Sequence, residues 1–449
     1  MMAVIGRIFN KLSLYDRAEP MLAEVLALRR LQHPHSPALA EALVLLGPVY
    51  RQTGHLEKSE QLLQEAETLL RDIGEDSSTY VDALTDLGFL YEDKGDVEKA
   101  ESYQREALVM ARRLFDEDDY RLAEALSNLG WALLGTGHPE DALPLMEQSL
   151  AATKKALGED HPMVGTSLSN LASAFAIKGD NQRAVPLFLE ALSNHTKVYG
   201  DTHNEVASLW HNLAVTNHKL KNMELAETQI HKSLTIKREL YGEEHHNIAN
   251  SLNTLASIVK GMGKEKEAES LYLQALDMRR KTLGKEHMSV ASSLNNLSVL
   301  MRETREYARA EQYLREAMDI KRKVLREGHP SMATSLSNLG ALKLKMKEFE
   351  KAEAAFRQAL TIYKAAFPKG HWYIGNGQSV LGFCLVRQDR WEEAEVFLLK
   401  GYRSLRDQSA SNGPALFQAR KRLFQFYNAQ GKPELAANYA EVKEEPEKE

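Results

Sequence analysis

The stretch Ser167-Leu168-Ser169-Asn170-Leu171-Ala172 decides the fold, because relatives of it recur along almost the whole chain. Aligned on its leucine, which we call the anchor, the chain divides into eleven units separated by steps of 41 or 42 residues. A small residue follows each anchor by thirteen positions. The anchors are Ile5, Leu46, Leu87, Leu129, Leu171, Leu213, Leu255, Leu297, Leu339, Leu381 and Leu423, and the small residues are Ala18, Ser59, Ala100, Ala142, Ala184, Ala226, Ala268, Ala310, Ala352, Ala394 and Ala436. This period indicates one array of stacked units instead of several independent domains.

Each unit is predicted to contain two helices. Apolar residues around Leu171, and again around Ala184, recur at helical spacing. A glycine between the two helices of most units, such as Gly179, suits the left-handed residue that ends a helix. Four units carry another residue there, so we expect their turns to close differently. These residues are Lys221, Arg305, Lys347 and Asp389.

The two ends of the array differ from its middle. The first anchor, Ile5, has only four residues before it, so residues 1–36 are predicted to be a truncated first repeat and the chain to begin inside a longer array. Residues 37–408 should be nine repeats of 41 or 42 residues. Residues 409–441 should form a C-terminal capping helix pair, because a Ser/Asn/Gly/Pro segment precedes a polar last pair. Residues 442–449 should be a disordered charged tail.

Composition excludes several classes of protein. The net charge of −6 gives no whole-chain reason to expect nucleic acid. No apolar run approaches the roughly 20 residues that a membrane span needs. A single cysteine, Cys384, rules out an intramolecular disulfide and fits a reducing compartment, so we expect a cytoplasmic protein. Sequence alone does not indicate the oligomeric state.

Charge is unevenly distributed along the chain. Residues 1–120 carry 13 Lys and Arg against 23 Asp and Glu, a net of −10, whereas residues 281–440 carry 26 against 16, a net of +10. Solvated outer helix faces would explain this pattern. Alternatively, the gradient orients an extended partner or favours head-to-tail association.

The motif Leu-Gly/Ala, a turn glycine and then Ala-Glu resembles the tetratricopeptide repeat. The 42-residue period, with Leu157-Gly158-Glu159-Asp160-His161-Pro162 between two units, is similar to the kinesin-light-chain type of that repeat. The resemblance covers about residues 1–441. It implies an all-α fold, a right-handed superhelical solenoid of about 10–11 antiparallel helix pairs. It also implies a non-catalytic scaffold or adaptor that binds a peptide segment of a partner protein in its concave groove.

Two alternatives remain open. Tyr15-Asp16-Arg17-Ala18-Glu19-Pro20 also looks like arrays that follow bacterial serine/threonine kinase domains. The chain would then be the regulatory region of a larger signalling enzyme whose catalytic domain lies outside it. A weaker alternative is a bare spacer.

An asparagine stands immediately before many anchors. These residues, which we call the asparagine column, are Asn128, Asn170, Asn212, Asn296 and Asn338. Asparagine is a mediocre helix former, so helix propensity does not explain it. The family resemblance places this position in the groove, where a carboxamide offers a donor and an acceptor to a peptide backbone. The alternative is duplication combined with bonding between neighbouring repeats.

Helical spacing predicts which residues share the groove with the asparagine column. One turn earlier stand Thr166, Ser208, Ser292 and Thr334, and one turn later stands Trp131. Trp131 and Phe89 either supply aromatic contacts to a bound peptide or belong to the core. The predicted site is therefore small and polar with some apolar contact.

The sequence predicts no metal site, no cofactor site and no catalytic site. Six histidines recur every 42 residues: His161, His203, His245, His287, His329 and His371. Equivalent positions in neighbouring helices lie about 8–10 Å apart, too far for all to reach one zinc ion at about 2.0–2.1 Å. We expect a structural role at the turn between units. The sequence contains no Walker loop and no His-Glu-x-x-His motif, and Cys384 is expected in the core.

Overall fold

The computed structural model describes residues 2–11, 14–74, 76–408 and 413–440. These residues form 22 α-helices and no β-strand. They divide into two compact units, unit 1 (residues 1–171) and unit 2 (residues 172–449), with the division inside α9. The first nine helices are α1 Met2–Lys11, α2 Tyr15–Gln32, α3 Pro37–Gln52, α4 Leu56–Ile73, α5 Ser78–Asp93, α6 Val97–Leu114, α7 Tyr120–Thr136, α8 Pro139–Leu157 and α9 Pro162–Lys178.

The remaining helices belong to unit 2. They are α10 Asn181–Tyr199, α11 Asn204–Lys219, α12 Met223–Tyr241, α13 His246–Gly261, α14 Glu265–Leu283, α15 Met288–Glu303, α16 Tyr307–Val324, α17 Pro330–Lys345, α18 Phe349–Ala366, α19 Trp372–Val386, α20 Trp391–Gln408, α21 Pro414–Ala429 and α22 Pro433–Ala437. None of the described helices combines the length and hydropathy that crossing a bilayer requires.

The anchors and the small residues thirteen positions after them build the core. The odd-numbered, or first, helices carry the anchors, and the even-numbered, or second, helices carry the small residues. Leu297 and Ala310, for example, are fully buried. The helices approach so closely that a Cβ added to Gly340 would lie 2.6 Å from the ring of Phe356. The predicted all-α array of helix pairs is therefore confirmed, and Gly340, directly after the anchor Leu339, lies where the second helix leaves no room for a side chain.

First helices also contact one another. In unit 1, α1 contacts α3, α3 contacts α5, and α5 contacts α7. In unit 2, α11 contacts α13, α15 contacts α17, and α19 contacts α21. Unit 1 and unit 2 each therefore present a surface built from neighbouring first helices, which we call the first-helix face.

The expectation that four turns close differently is wrong. Lys221, Arg305, Lys347 and Asp389 have φ values of 67°, 66°, 63° and 58°, the left-handed conformation that glycine adopts at Gly95 and Gly263. Their hydrogen bonds match as well: the turn of Arg305 is closed by Glu306 N–H donating to the Met301 carbonyl. Because packing of the two flanking helices fixes the turn, a side chain there adopts a conformation that costs about 1–2 kcal/mol.

The histidine column caps the first helices. In all six repeats that carry such a histidine, the imidazole Nδ1 accepts a hydrogen bond from the backbone N–H two residues later, at 3.1–3.3 Å. The acceptor satisfies one of the N–H groups that a helix start leaves without a partner. The expected structural role at the turn between units is confirmed, and capping is its physical basis.

The C-terminal segment contains two helices that pack together, α21 and α22. The predicted start of the capping pair at residues 409–412, and its end at residue 441, lie outside the described residues. The predicted disordered tail, residues 442–449, also lies outside them. The domain boundaries drawn from the sequence therefore remain predictions.

Candidate functional site

The asparagine column lies on the first helices, one residue before each anchor. All five members, Asn128, Asn170, Asn212, Asn296 and Asn338, are partly exposed. The anchor that follows each of them packs in the core. Adjacent residues of the first helix therefore face the core and the accessible surface. The column therefore lies where a partner could reach it.

Some members of the column also join neighbouring first helices. The Asn170 Nδ2 donates to Ser127 Oγ at 3.2 Å in unit 1, and the Asn296 Nδ2 donates to Asn253 Oδ1 at 3.3 Å in unit 2. In both cases the acceptor lies two residues before the preceding anchor. These bonds support the alternative interpretation, bonding between neighbouring repeats, at these two positions. An asparagine side chain that donates one such bond retains further hydrogen-bonding capacity.

The same connection occurs with other residue types. Thr254 Oγ1 and His211 Nε2 share a hydrogen bond at 3.3 Å, and Arg422 donates to Ser379 Oγ at 2.9 Å. Sequence reasoning left bonding between neighbouring repeats open as an alternative but did not identify the acceptors, because these residues vary. The signal that could have revealed it is a polar residue two positions before most anchors.

The predicted flanking residues lie one helical turn from the column. Thr166, Ser292 and Thr334 are exposed, and Ser208 and Trp131 are partly exposed. The Ser292 hydroxyl donates to the Met288 carbonyl of its own helix at 3.1 Å. The structure thus places these residues at the surface, next to the asparagine positions.

A cleft of about 760 Å³ opens on the first-helix face of unit 1, and we call it the acidic cleft. Asn128 and Phe89 line it together with residues from α1, α3, α5 and α7. Its carboxylates are Glu41, Asp82, Asp86 and Glu124, and its cations are Arg7 and Arg121.

Asp86 occupies the asparagine-column position of its unit. Burial raises the pKa of Asp86 to about 8, against the opposing charge of Arg51 and with a further contribution from Asp82. Burial also raises the pKa of Asp82, one turn earlier. Among the described residues, neither carboxylate forms an ion pair or a side-chain hydrogen bond.

A second cleft, of about 560 Å³, opens on the first-helix face of unit 2, and we call it the basic cleft. Asn338 lines it, and Ala341, Val380 and Phe383 supply apolar surface. Its cations are Arg302, Lys345, Lys421 and Arg422, and no carboxylate lines it among the described residues. The charge difference between the two ends of the sequence is thus present within the two clefts.

Several cations of unit 2 are buried without a carboxylate partner. Lys321 Nζ donates to the Ser331 carbonyl at 2.8 Å and to Ser335 Oγ at 2.9 Å, and Lys237 Nζ donates to Ser251 Oγ at 2.9 Å. Burial lowers the pKa of Lys237 and of Lys321 to about 8. The sequence signal, a cation eleven residues after the small residue of the second helix, was missed.

Metal-ligating side chains and the single cysteine are the other candidates for chemistry. No group of three or more His, Cys, Asp or Glu side chains in the described ranges is arranged to hold a metal ion. Cys384 is buried in α19, as expected, and burial raises its thiol pKa to about 11. A thiol with that pKa is a poor nucleophile at neutral pH.

Comparison with known proteins identifies the repeat. The family model described as tetratricopeptide repeat matches residues 1–72, 80–155, 139–197, 163–229, 205–281, 261–323 and 289–365. No curated protein sequence matches the chain.

Solved structures are similar at low identity. BtubC (BKLC) from P. vanneervenii is 27% identical over 51% of this chain and 91% of that one, with a TM-score of 0.43. A P. anserina protein described as a kinesin light chain with nearly identical TPR-like repeats is 22% identical over 45% and 95%, with a TM-score of 0.40. A Rap protein complexed with competence and sporulation factor is 13% identical over 81% and 96%, with a TM-score of 0.51, a likeness of fold.

Proposed function

Because the chain belongs to the tetratricopeptide repeat family, we propose that it is a non-catalytic scaffold or adaptor. It binds a peptide segment of another protein on its first-helix face, and it acts in the cytoplasm. The partner is a protein or peptide, and neither nucleic acid nor membrane is required.

The position of the two clefts is the observation that carries this proposal. Both open on first helices, and each is lined by a member of the asparagine column, Asn128 in the acidic cleft and Asn338 in the basic cleft. Carboxamides next to apolar and aromatic surface suit an extended peptide, whose backbone needs donors and acceptors at regular intervals. Within the proposed site, Thr166, Ser208, Ser292, Thr334 and Trp131 flank the column.

Fold-level analogy points the same way. The Rap protein of similar fold was solved with competence and sporulation factor bound. Analogy of fold cannot identify a partner, so the proposal rests on the surface of this chain.

The alternative is a regulatory region of a larger signalling enzyme, such as a serine/threonine kinase. It is favoured by the similarity of residues 15–20 to arrays that follow such domains. The same first-helix face would then bind a regulatory peptide. Sequencing the full transcript distinguishes the two, because only the alternative requires a kinase domain in the same reading frame.

Selection from a displayed library of random peptides tests the proposal without knowledge of the partner. The equilibrium dissociation constant (Kd) of each selected peptide is then measured by fluorescence anisotropy with wild type and with two variants. Asn128→Ala/Asn170→Ala alters unit 1, and Asn212→Ala/Asn296→Ala/Asn338→Ala alters unit 2. Each lost hydrogen bond contributes about 0.5–1.5 kcal/mol, and each variant removes at least two asparagine side chains, so one of the variants should weaken binding at least about fivefold.

A matched control alters exposed polar residues on second helices, as Thr235→Ala/Gln274→Ala/Thr361→Ala. This control should bind like wild type. Thermal unfolding accompanies each measurement, because Asn170 and Asn296 also join neighbouring helices. Unchanged peptide affinity in both asparagine variants, with helicity intact, would contradict the proposed site.

A further inference from the structure

The acidic cleft of unit 1 carries more negative charge than its own cations neutralise. Four carboxylates line it against two guanidinium groups. Both guanidinium groups already have partners: Arg7 pairs with Glu41 at 2.7 Å, and Arg121 Nε donates to Asp119 Oδ1 at 3.0 Å. The cations that line the cleft therefore do not pair with Asp82 or Asp86.

Asp82 and Asp86 are one turn apart on α5, and both line the cleft. Neither forms an ion pair or a side-chain hydrogen bond with a described residue. Although solvent reaches part of Asp86, its carboxylate is surrounded by protein atoms, and this burial raises the pKa of Asp86 to about 8. The charge of Arg51 opposes that shift, but its guanidinium bonds to Asp93, at 2.8 Å. A cation that enters the cleft would stabilise the ionised form of both carboxylates.

Packing does not explain the aspartate at position 86. Five other units carry asparagine there, and asparagine has nearly the same shape with no charge to desolvate. The carboxylate of Asp86 therefore costs stability without adding a contact to the fold. A charge retained at such a cost is typical of a functional site.

The lining of the cleft suits a cationic side chain of a peptide. The cleft has a volume of about 760 Å³ and is lined by Phe89, Tyr120 and Asn128. The apolar stem of an arginine or lysine can pack on the two rings, and the carboxamide can bond to a peptide backbone. Asp82 and Asp86 are separated by about 6 Å along the helix axis. One guanidinium between them can span that gap and donate to both carboxylates.

We propose that the acidic cleft binds a basic segment of a partner protein, with an arginine or lysine side chain paired to Asp82 and Asp86. The assignment rests on the proposed function and deepens it, because it states the charge of the peptide that unit 1 binds. The two carboxylates recognise the side chain, whereas Asn128 contacts the backbone.

Binding of two fluorescent peptides to the full-length chain tests the requirement for positive charge. One peptide is four Arg-Gly dipeptides in a row, and the other carries citrulline, a neutral residue of nearly the same shape, in place of each arginine. Fluorescence anisotropy gives each Kd at about 0.15 M ionic strength, where salt screens exposed charges. The arginine peptide should bind about tenfold more tightly, because only it forms charge-assisted hydrogen bonds. Equal affinities would overturn the proposal.

Neutral substitutions locate the site. Asp82→Asn/Asp86→Asn should weaken binding of the arginine peptide about tenfold, to the level of the citrulline peptide. The matched control, Asp72→Asn/Glu98→Gln, removes the same charge from exposed residues of the second helices α4 and α6. This control should bind like wild type. Equal losses in the two variants would overturn the proposal, because the attraction would then depend on net charge alone.

Unfolding in urea at pH 8 separates a binding role from a structural role. If the two carboxylates serve a ligand, Asp82→Asn/Asp86→Asn binds the arginine peptide more weakly but is at least as stable as wild type. A variant that binds more weakly and is also less stable would contradict the proposal, because the carboxylates would then support the fold.

The displayed peptide library distinguishes this proposal from the proposed function. Peptides selected with wild type should be enriched in arginine and lysine, and the enrichment should be lost with Asp82→Asn/Asp86→Asn. Selected peptides whose affinity depends on Asn128 but on neither aspartate would overturn the proposal and leave the proposed function intact. Peptides that depend neither on the aspartates nor on any member of the asparagine column would contradict both.

Discussion

Replacement of Asp86 by asparagine should stabilise the protein, and by an amount that depends on pH. Asp86 stands in the acidic cleft at a position where five other units carry asparagine. Asparagine has nearly the same shape and no charge to desolvate. The substitution therefore restores the residue of the column and removes the cost of burying a carboxylate.

The direction follows from the pKa. Burial raises the pKa of Asp86 from 3.8 to about 8, so the folded state retains a proton over a range in which the unfolded state has lost it. The stability of wild type therefore falls as pH rises from about 4 to about 8. Asp86→Asn eliminates this fall. Its advantage, the free energy of unfolding of the variant minus that of wild type, is therefore near zero at pH 4 and greatest above pH 8.

The magnitude follows from the same difference. Each pH unit within the window corresponds to about 1.4 kcal/mol, or about 4 kcal/mol between pH 5 and pH 8. Asp86 remains partly exposed, and solvent screening reduces such an effect. We expect the advantage of the variant to increase by about 2 kcal/mol over this interval.

Urea unfolding followed by circular dichroism at pH 5, 6.5 and 8 measures this effect. The exposed carboxylate Asp72 on α4 provides the control, and Asp72→Asn should shift the midpoint by little and equally at each pH. The reasoning is refuted if the advantage of Asp86→Asn is independent of pH, or if the variant is less stable than wild type at pH 8.

Four other substitutions test the account of the turns, the caps and the packing. Arg305→Gly and Lys347→Gly should each raise the free energy of unfolding by about 1 kcal/mol, since both turns have positive φ; a loss of stability in urea would contradict this. At pH 5, His329→Asn should be more stable than wild type, and equal to it at pH 8. Burial lowers the pKa of His329, so the stability that its neutral imidazole contributes as a helix cap is lost as pH falls. Thermal unfolding of both proteins at both pH values measures this difference. Gly340→Val should cost about 1–3 kcal/mol, because Phe356 lies against the glycine, and an unchanged midpoint would refute that contact.

The repeat and its packing could be read from the sequence because they depend on residue spacing. The period of 42 residues determines where each helix pair begins, and the anchor Leu297 with its partner Ala310 determines which sides are buried. The asparagine positions were predicted to be accessible because the resemblance to the tetratricopeptide repeat places them in the groove, and helical periodicity then gave the residues that flank them.

Features that depend on the register between neighbouring repeats were not predicted in detail. The bond from Asn296 to Asn253 joins residues 43 positions apart; bonding between repeats was open as an alternative, but a single repeat does not show which residue accepts. The buried lysine Lys321 was missed because its acceptors belong to the next repeat. The turn at Arg305 was predicted wrongly because the packed helices, not the turn residue, determine its conformation.

Photo-cross-linking tests the central claim, that the first-helix face binds peptide, most directly. A library-selected peptide carrying one photoreactive residue is cross-linked to the wild-type chain, and the attachment sites are mapped by mass spectrometry. We predict attachment to first helices, near members of the asparagine column such as Asn128 or Asn338. Attachment confined to exposed surfaces of second helices, for example around Gln274, would contradict the account.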